Sequence, residues 1–124
     1  MIYLDTHVAV RLCAENRIKF SNAIENLIEK HEVSISAMVC LELQYLLEIK
    51  RIAVKPEEII SNLSSSIGLK ICDKNFNTII SKAMSLSWTR DPFDRIIVAN
   101  AAIDNSVLIT KDQHILEHYE NAKW

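Results

Sequence analysis

Four carboxylates in this sequence, Asp5, Glu42, Asp94 and Asp112, could share one site, and two of them are hard to explain alone. Glu42 is the sharpest case: its helical neighbours at i−4, i−3, i+3, i+4 and i+7 are Met38, Val39, Tyr45, Leu46 and Ile49, so it sits on an apolar helix face. A carboxylate there is costly to desolvate and requires a basic side chain or a metal ion beside it. Asp94 repeats the pattern, with Ile97, Val98 and Ala101 at i+3, i+4 and i+7. Asp5 directly follows the apolar Ile2-Tyr3-Leu4, and Asp112 comes two residues after Val107-Leu108-Ile109-Thr110. Both of these acids therefore fall at the carboxyl ends of candidate strands, although capping a helix or starting a turn also explains either one. Asp91, one turn before Asp94, reads as an N-cap ahead of Pro92, and whether it joins the other acids stays open. Glu48 reads as an ordinary helix-face charge.

If folding brings Asp5, Glu42, Asp94 and Asp112 together, each pair of unit charges at ~4 Å repels by about 1 kcal/mol in water and about 4 kcal/mol at an effective dielectric of 20. Such a cluster calls for a counter-cation. Oxygen donors alone suit a hard ion, Mg2+ or Mn2+, and not zinc with its preference for nitrogen and sulfur. A site of this kind can activate water, align it for in-line attack and stabilise charge on a leaving oxygen, which is the logic of metal-assisted phosphodiester hydrolysis.

The elements that must position these acids alternate strand and helix. After the first strand, Asp5-Thr6 can cap a helix over residues 7 to 13. Apolar residues at Phe20, Ala23, Ile24, Leu27 and Ile28 predict an amphipathic helix over 20 to 31. Val33 to Ile35 form a second strand, Ser36 caps a helix from 37 to 50, and Pro56 opens another that ends in the polar Ser64-Ser65-Ser66. Leu69 to Ile71 read as a third strand, Asn75 to Ser85 as helix, and Pro92 as the start of a helix through Ala102. Val107 to Thr110 read as a buried parallel strand, and residues 122 to 124 as a short last one. Alternation of this kind implies a parallel sheet with its ligand crevice outside the carboxyl ends of the strands.

Length and composition narrow the function. The 124 residues suit one domain over 1–124, and 49% apolar with 24% charged residues is the balance of a globular protein. Net charge is −2, yet with the four acids set aside the remaining 12 acidic residues face 14 basic ones, so overall charge does not decide against a nucleic-acid substrate. Gly68 is the only glycine, which excludes phosphate-cradling glycine loops, dinucleotide fingerprints and glycine-flanked serine elbows. Cys13, Cys40 and Cys72 are widely spaced and odd in number, arguing against a zinc knuckle or a disulfide framework and for a reducing cytoplasm. Asp5 interrupts the first apolar stretch, and no later one reaches the roughly 20 apolar residues of a membrane span, so no membrane association is expected.

Four segments resemble a known family: Met1-Ile2-Tyr3-Leu4-Asp5-Thr6-His7, Ser36 through Leu41-Glu42-Leu43 to Glu48-Ile49-Lys50-Arg51, Trp88-Thr89-Arg90-Asp91-Pro92-Phe93-Asp94-Arg95, and Leu108-Ile109-Thr110-Lys111-Asp112. Together they resemble the PIN domain, and within it the VapC-like toxin ribonucleases of prokaryotic toxin-antitoxin pairs. The resemblance implies a three-layer α/β fold with a central parallel sheet flanked by helices, cleavage of RNA with Mg2+ or Mn2+, and a cognate antitoxin protein; similar proteins are commonly homodimers. Residue by residue, Asp5, Glu42, Asp94 and Asp112 look like the catalytic and metal-holding quartet. Thr6 and Thr110 stand where similar proteins place hydroxyls that orient the acids, with simple capping or turn formation as the alternative. Lys50 departs from the pattern, because similar chains often carry glycine after the Glu48-Ile49 helix.

Other residues have plainer readings beside the functional one. Arg90 and Arg95 flank the Asp91-Pro92-Phe93-Asp94 segment and are candidate contacts to RNA phosphates, which Arg11, Arg17, Lys19 and Lys111 could extend, although solvated surface charge explains all of them. His7 adjoins Asp5 and is a candidate substrate contact or a polar loop residue. His114 and His118 share one helical face, but no third ligand accompanies them, and exposed helix histidines are the ordinary reading. Trp88 reads as core, subunit contact or base-stacking residue. Two other functions compete with the nuclease: a catalytically silent PIN-fold module binding RNA or protein, and a receiver-type phosphorylation module. The receiver fits less well, because it needs an acidic pair after its first strand, where Thr6 follows Asp5.

Overall fold

The computed structural model describes residues 1–14 and 20–124, so Arg17 and Lys19 of the suggested basic path lie outside the described residues. The described elements run in the order β1 (Ile2–Leu4), α1 (Thr6–Cys13), α2 (Asn22–Lys30), β2 (Val33–Ile35), α3 (Ala37–Glu48), α4 (Pro56–Ile67), β3 (Lys70–Ile71), α5 (Phe76–Met84), α6 (Pro92–Ala102), β4 (Val107–Ile109), α7 (Gln113–His118) and β5 (Ala122–Lys123).

The five strands form one parallel sheet in the order β3-β2-β1-β4-β5. The chain builds outward from β1 to β2 and β3, then crosses to β4 and β5 on the other side, so the topological switch point lies between β1 and β4. Ile2, Tyr3 and Leu4 are all buried although consecutive strand residues point to opposite faces, so helices cover the sheet on both sides. The result is the three-layer α/β architecture expected from sequence. Register matters most at the switch point, where Leu4 stands opposite Ile109 and the next residues, Asp5 and Thr110, leave the sheet side by side.

The helix starts follow local chemistry. Ser21, Ser36, Asn75, Asp91 and Asp112 each accept a backbone N–H of the first turn that follows, and Asp5 accepts the N–H of Thr6. At the end of α3, Arg51 N–H reaches Leu46 O at 2.8 Å and Lys50 N–H reaches Leu47 O at 3.1 Å, with Lys50 held at φ 62. This is a Schellman termination in which Lys50 occupies the left-handed position that glycine usually fills. The departure seen in the sequence is therefore met by the same backbone turn, with a lysine carrying the steric cost.

Differences from the expected elements lie at their ends. The first helix begins at Thr6, the α3 helix stops at Glu48, and β3 and β5 are two residues each. The six-residue α7 bears out the helical reading of His114 and His118, while its bounds escape a sequence reading because so brief a segment shows less than two turns of apolar periodicity.

Candidate functional site

At the switch point a cleft of about 260 Å³ is lined by Asp5, His7, Lys111 and Asp112. Asp5 forms its floor at 5% exposure, held by two donors: Thr6 N–H to Oδ1 at 2.8 Å and the Thr110 hydroxyl to Oδ2 at 2.6 Å. Thr110 in turn accepts the backbone N–H of Asp112 at 3.0 Å, so one hydroxyl links two of the acids. Asp112 is exposed at the rim, where its Oδ1 accepts Ile115 N–H at 3.0 Å and caps α7. Glu42 points from α3 to Thr6, whose hydroxyl donates to Glu42 Oε1. Thr6 and Thr110 thus each hold a carboxylate oxygen in place.

Asp94, half-buried in the first turn of α6, completes the group electrostatically. Burial, followed by the charges of Asp91, Asp5, Asp112 and Glu42, pushes its carboxyl up to about 7. Burial likewise raises Asp5 and Glu42 above the ordinary carboxylate range. At Asp5 the hydrogen bonds from Thr110 and Thr6 oppose that rise, as does the Thr6 hydroxyl at Glu42. Asp91 caps α6 by accepting Phe93 N–H at 2.9 Å and Asp94 N–H at 3.2 Å. It is a cap, as its sequence context indicates, but its charge also reaches Asp94 and Glu42.

Among the described residues the ion pair within 4 Å is Lys74 with Asp104, at 3.1 Å, away from these acids. Asp5, Glu42 and Asp94 are therefore desolvated beside other carboxylates, with no basic side chain bonded to them among the described residues. As they stand they do not close on a common point: among the described residues no three His, Cys, Asp or Glu side chains form a finished ligand set. The donor set, oxygen throughout and charged, fits a hard divalent cation.

The suggested cationic contacts divide. His7, in the first turn of α1, and Lys111 are exposed and line the cleft. Their positions two residues after Asp5 and one before Asp112, at strand ends, were the signal that marked them. Arg90 is exposed just ahead of the α6 cap. Arg95 requires a correction as a phosphate contact, because its Nε donates to Ala83 O at 2.8 Å and its terminal nitrogen to Met84 O at 3.3 Å. It caps the end of α5, where cations are favoured. Arg11 lies over the rings of Phe20 and Trp124, at 6.0 and 5.4 Å. Trp88 packs against the core and stacks on His118.

The PIN domain family model matches residues 2–121. Sixteen chains of solved structures match the fold. One belongs to VapBC2 from Rickettsia felis bound to a DNA fragment from their promoter, with 24% identity, a TM-score of 0.66, and coverage of 99% of this chain and 98% of that one. Another belongs to a toxin-antitoxin complex from Klebsiella pneumoniae, with 16% identity, a TM-score of 0.67, and coverage of 100% and 97%. No curated protein matches the chain.

Proposed function

Because this chain belongs to the PIN domain family, we propose that it is a divalent-metal-dependent endoribonuclease and the toxin of a toxin-antitoxin pair. The observation that carries the reading is electrostatic. Burial and four neighbouring carboxylates push Asp94 up to about 7, with no basic side chain bonded to Asp5, Glu42 or Asp94 among the described residues. A protein accepts that cost where a cation relieves it.

In this reading Asp5, Glu42, Asp94 and Asp112 are the catalytic acids and hold Mg2+ or Mn2+. A cation held there would supply positive charge toward a phosphodiester and lower the pKa of a water beside it. The chain's own residues prepare the site. Thr110 and Thr6 engage both oxygens of Asp5 and one of Glu42, which orients these two carboxylates. His7, Lys111 and Arg90 offer donors to the RNA backbone around the cleft, contacts that position substrate without reading sequence.

The partners follow from the same premise. The Klebsiella pneumoniae neighbour is a toxin-antitoxin complex and the Rickettsia felis neighbour a VapBC2 assembly, which supports a cognate antitoxin protein for this chain. The exposed Leu41, Tyr45 and Ile49, spaced at i, i+4 and i+8 on α3, favour a homodimer. No described helix is long and apolar enough to cross a membrane, and we place the protein in the cytoplasm on its free, widely spaced cysteines. The receiver alternative loses ground to topology, since receivers order their strands 2-1-3-4-5 whereas β3 here is an edge strand.

The test is cleavage of RNA by the purified protein. Mg2+ or Mn2+ should support internal cleavage, chelation should stop it, and Asp5→Asn and Asp94→Asn should each abolish it in folded protein. Full cleavage by both variants would remove the acids from the mechanism, and binding of RNA without cleavage under any divalent cation would favour the silent binding module.

A further inference from the structure

We propose that His114 and His118 form a second cation site, selective for borderline transition metals such as Cu2+, Ni2+ or Zn2+, and independent of the nuclease reading. The two imidazoles lie one turn apart on α7 with ring centroids 4.6 Å apart. His118 Nδ1 is 2.9 Å from the carbonyl oxygen of His114. A carbonyl only accepts, so Nδ1 carries the proton of the neutral ring and Nε2 keeps its lone pair. That is the tautomer in which histidines commonly ligate metals, with the second nitrogen anchored to the backbone.

The rings are also held in place. His118 stacks on Trp88 with centroids 5.0 Å apart and planes 8° apart, and His114 tilts against the same indole at 5.2 Å. Trp88 packs on the hydrophobic core, so the stack is fixed to the body of the protein. The parallel stack turns the faces of Trp88 and His118 toward each other, which disfavours a platform for RNA bases. Both histidines are exposed, and among the described residues neither side chain makes another hydrogen bond. Imidazole nitrogen favours Cu2+, Ni2+ and Zn2+, whereas the carboxylate cleft favours Mg2+ and Mn2+, so the two sites sort metals by donor chemistry. Because Asp112 caps α7, an ion linking its turns acts on the element that carries one of the acids.

The experiment uses tag-free full-length protein carrying Trp124→Phe, which leaves Trp88 as the only indole. In excess Mg2+ at slightly alkaline pH, Cu2+ should quench Trp88 fluorescence with saturation at one equivalent. His114→Ala and His118→Ala should each weaken binding by at least about 10-fold, the least that loss of even a supporting group costs a metal site. Asp5→Asn and His31→Ala should leave it unchanged. Calorimetry with Ni2+ should show the same losses, which separates lost ligation from a mere shift of Trp88. Wild-type affinity in either histidine variant, or loss of binding in Asp5→Asn, would overturn the assignment.

Discussion

The Thr110 hydroxyl donates to Asp5 Oδ2 at 2.6 Å, and Asp5 is the most deeply buried of the four acids. Thr110 Oγ1 also accepts the N–H of Asp112, so the end of β4 engages two of the acidic residues through one side chain. Replacing it with the isosteric Thr110→Val leaves a buried carboxylate short of a donor. The expected cost is about 1–3 kcal/mol in denaturant titration, together with metal affinity weakened roughly 10–100-fold. Thr110→Ser, which keeps the hydroxyl, should retain most of both.

The raised carboxyls set a pH dependence with a definite sign. Asp94 holds its proton up to about 7 in the folded protein, whereas an unfolded aspartate releases it near ~3.9. Its contribution to stability is therefore full below roughly 4 and lost as pH rises to about 7. Burial shifts Asp5 and Glu42 in the same direction. Thermal melts in chelator should show Tm falling across that window and levelling above it. Mg2+ should raise Tm more above pH ~7 than below it, because cation and proton compete for the same oxygens.

Asp94→Asn follows from the same imbalance. Removing the charge ends the repulsion of Asp94 by Asp91, Asp5, Asp112 and Glu42, so this variant should melt higher than wild type in chelator at alkaline pH while losing RNA cleavage. Gain in one property with loss of the other is the signature of a residue kept for function. A variant that melts lower under those conditions would contradict the electrostatic account.

How far the sequence reveals this arrangement depends on whether the cause is local. Asp5 and Asp112 could be placed at strand ends from apolar runs, and Glu42 was conspicuous because its own helix face is apolar. The role of Arg95 is illegible in sequence because α5 brings Ala83 and Met84 to it from 12 and 11 residues away. Asp91 reads correctly as a cap, but its charge on Glu42 depends on where α3 and α6 meet. α7 is set by the Asp112 cap and by packing of Ile115, not by periodicity.

Lys50 offers a test away from the site. At φ 62 a residue with a side chain pays about 1–2 kcal/mol in the left-handed region, and glycine pays little there but loses more freedom on folding. Lys50→Gly should therefore stabilise the protein by up to about 1 kcal/mol in urea titration, with cleavage unchanged.

Lys74 is a structural clasp. Its ammonium meets Tyr3 Oη at 2.8 Å, Asn100 O at 2.8 Å and Asp104 at 3.1 Å, tying the segment after β3 to β1 and the end of α6. Lys74→Met should cost about 2–3 kcal/mol, because charged hydrogen bonds are lost and acceptors are left behind. Asp104→Asn, at the half-exposed partner, should cost under about 1 kcal/mol.

The central claim is that Asp5, Glu42, Asp94 and Asp112 jointly bind a hard divalent cation, and electron paramagnetic resonance of free Mn2+ measures it most directly. Titrated at slightly alkaline pH, the wild-type chain should deplete the free-ion signal with saturation, and Asp5→Asn and Asp94→Asn should leave that signal intact. Wild-type protein that leaves Mn2+ free, or variants that bind it equally well, would contradict the account.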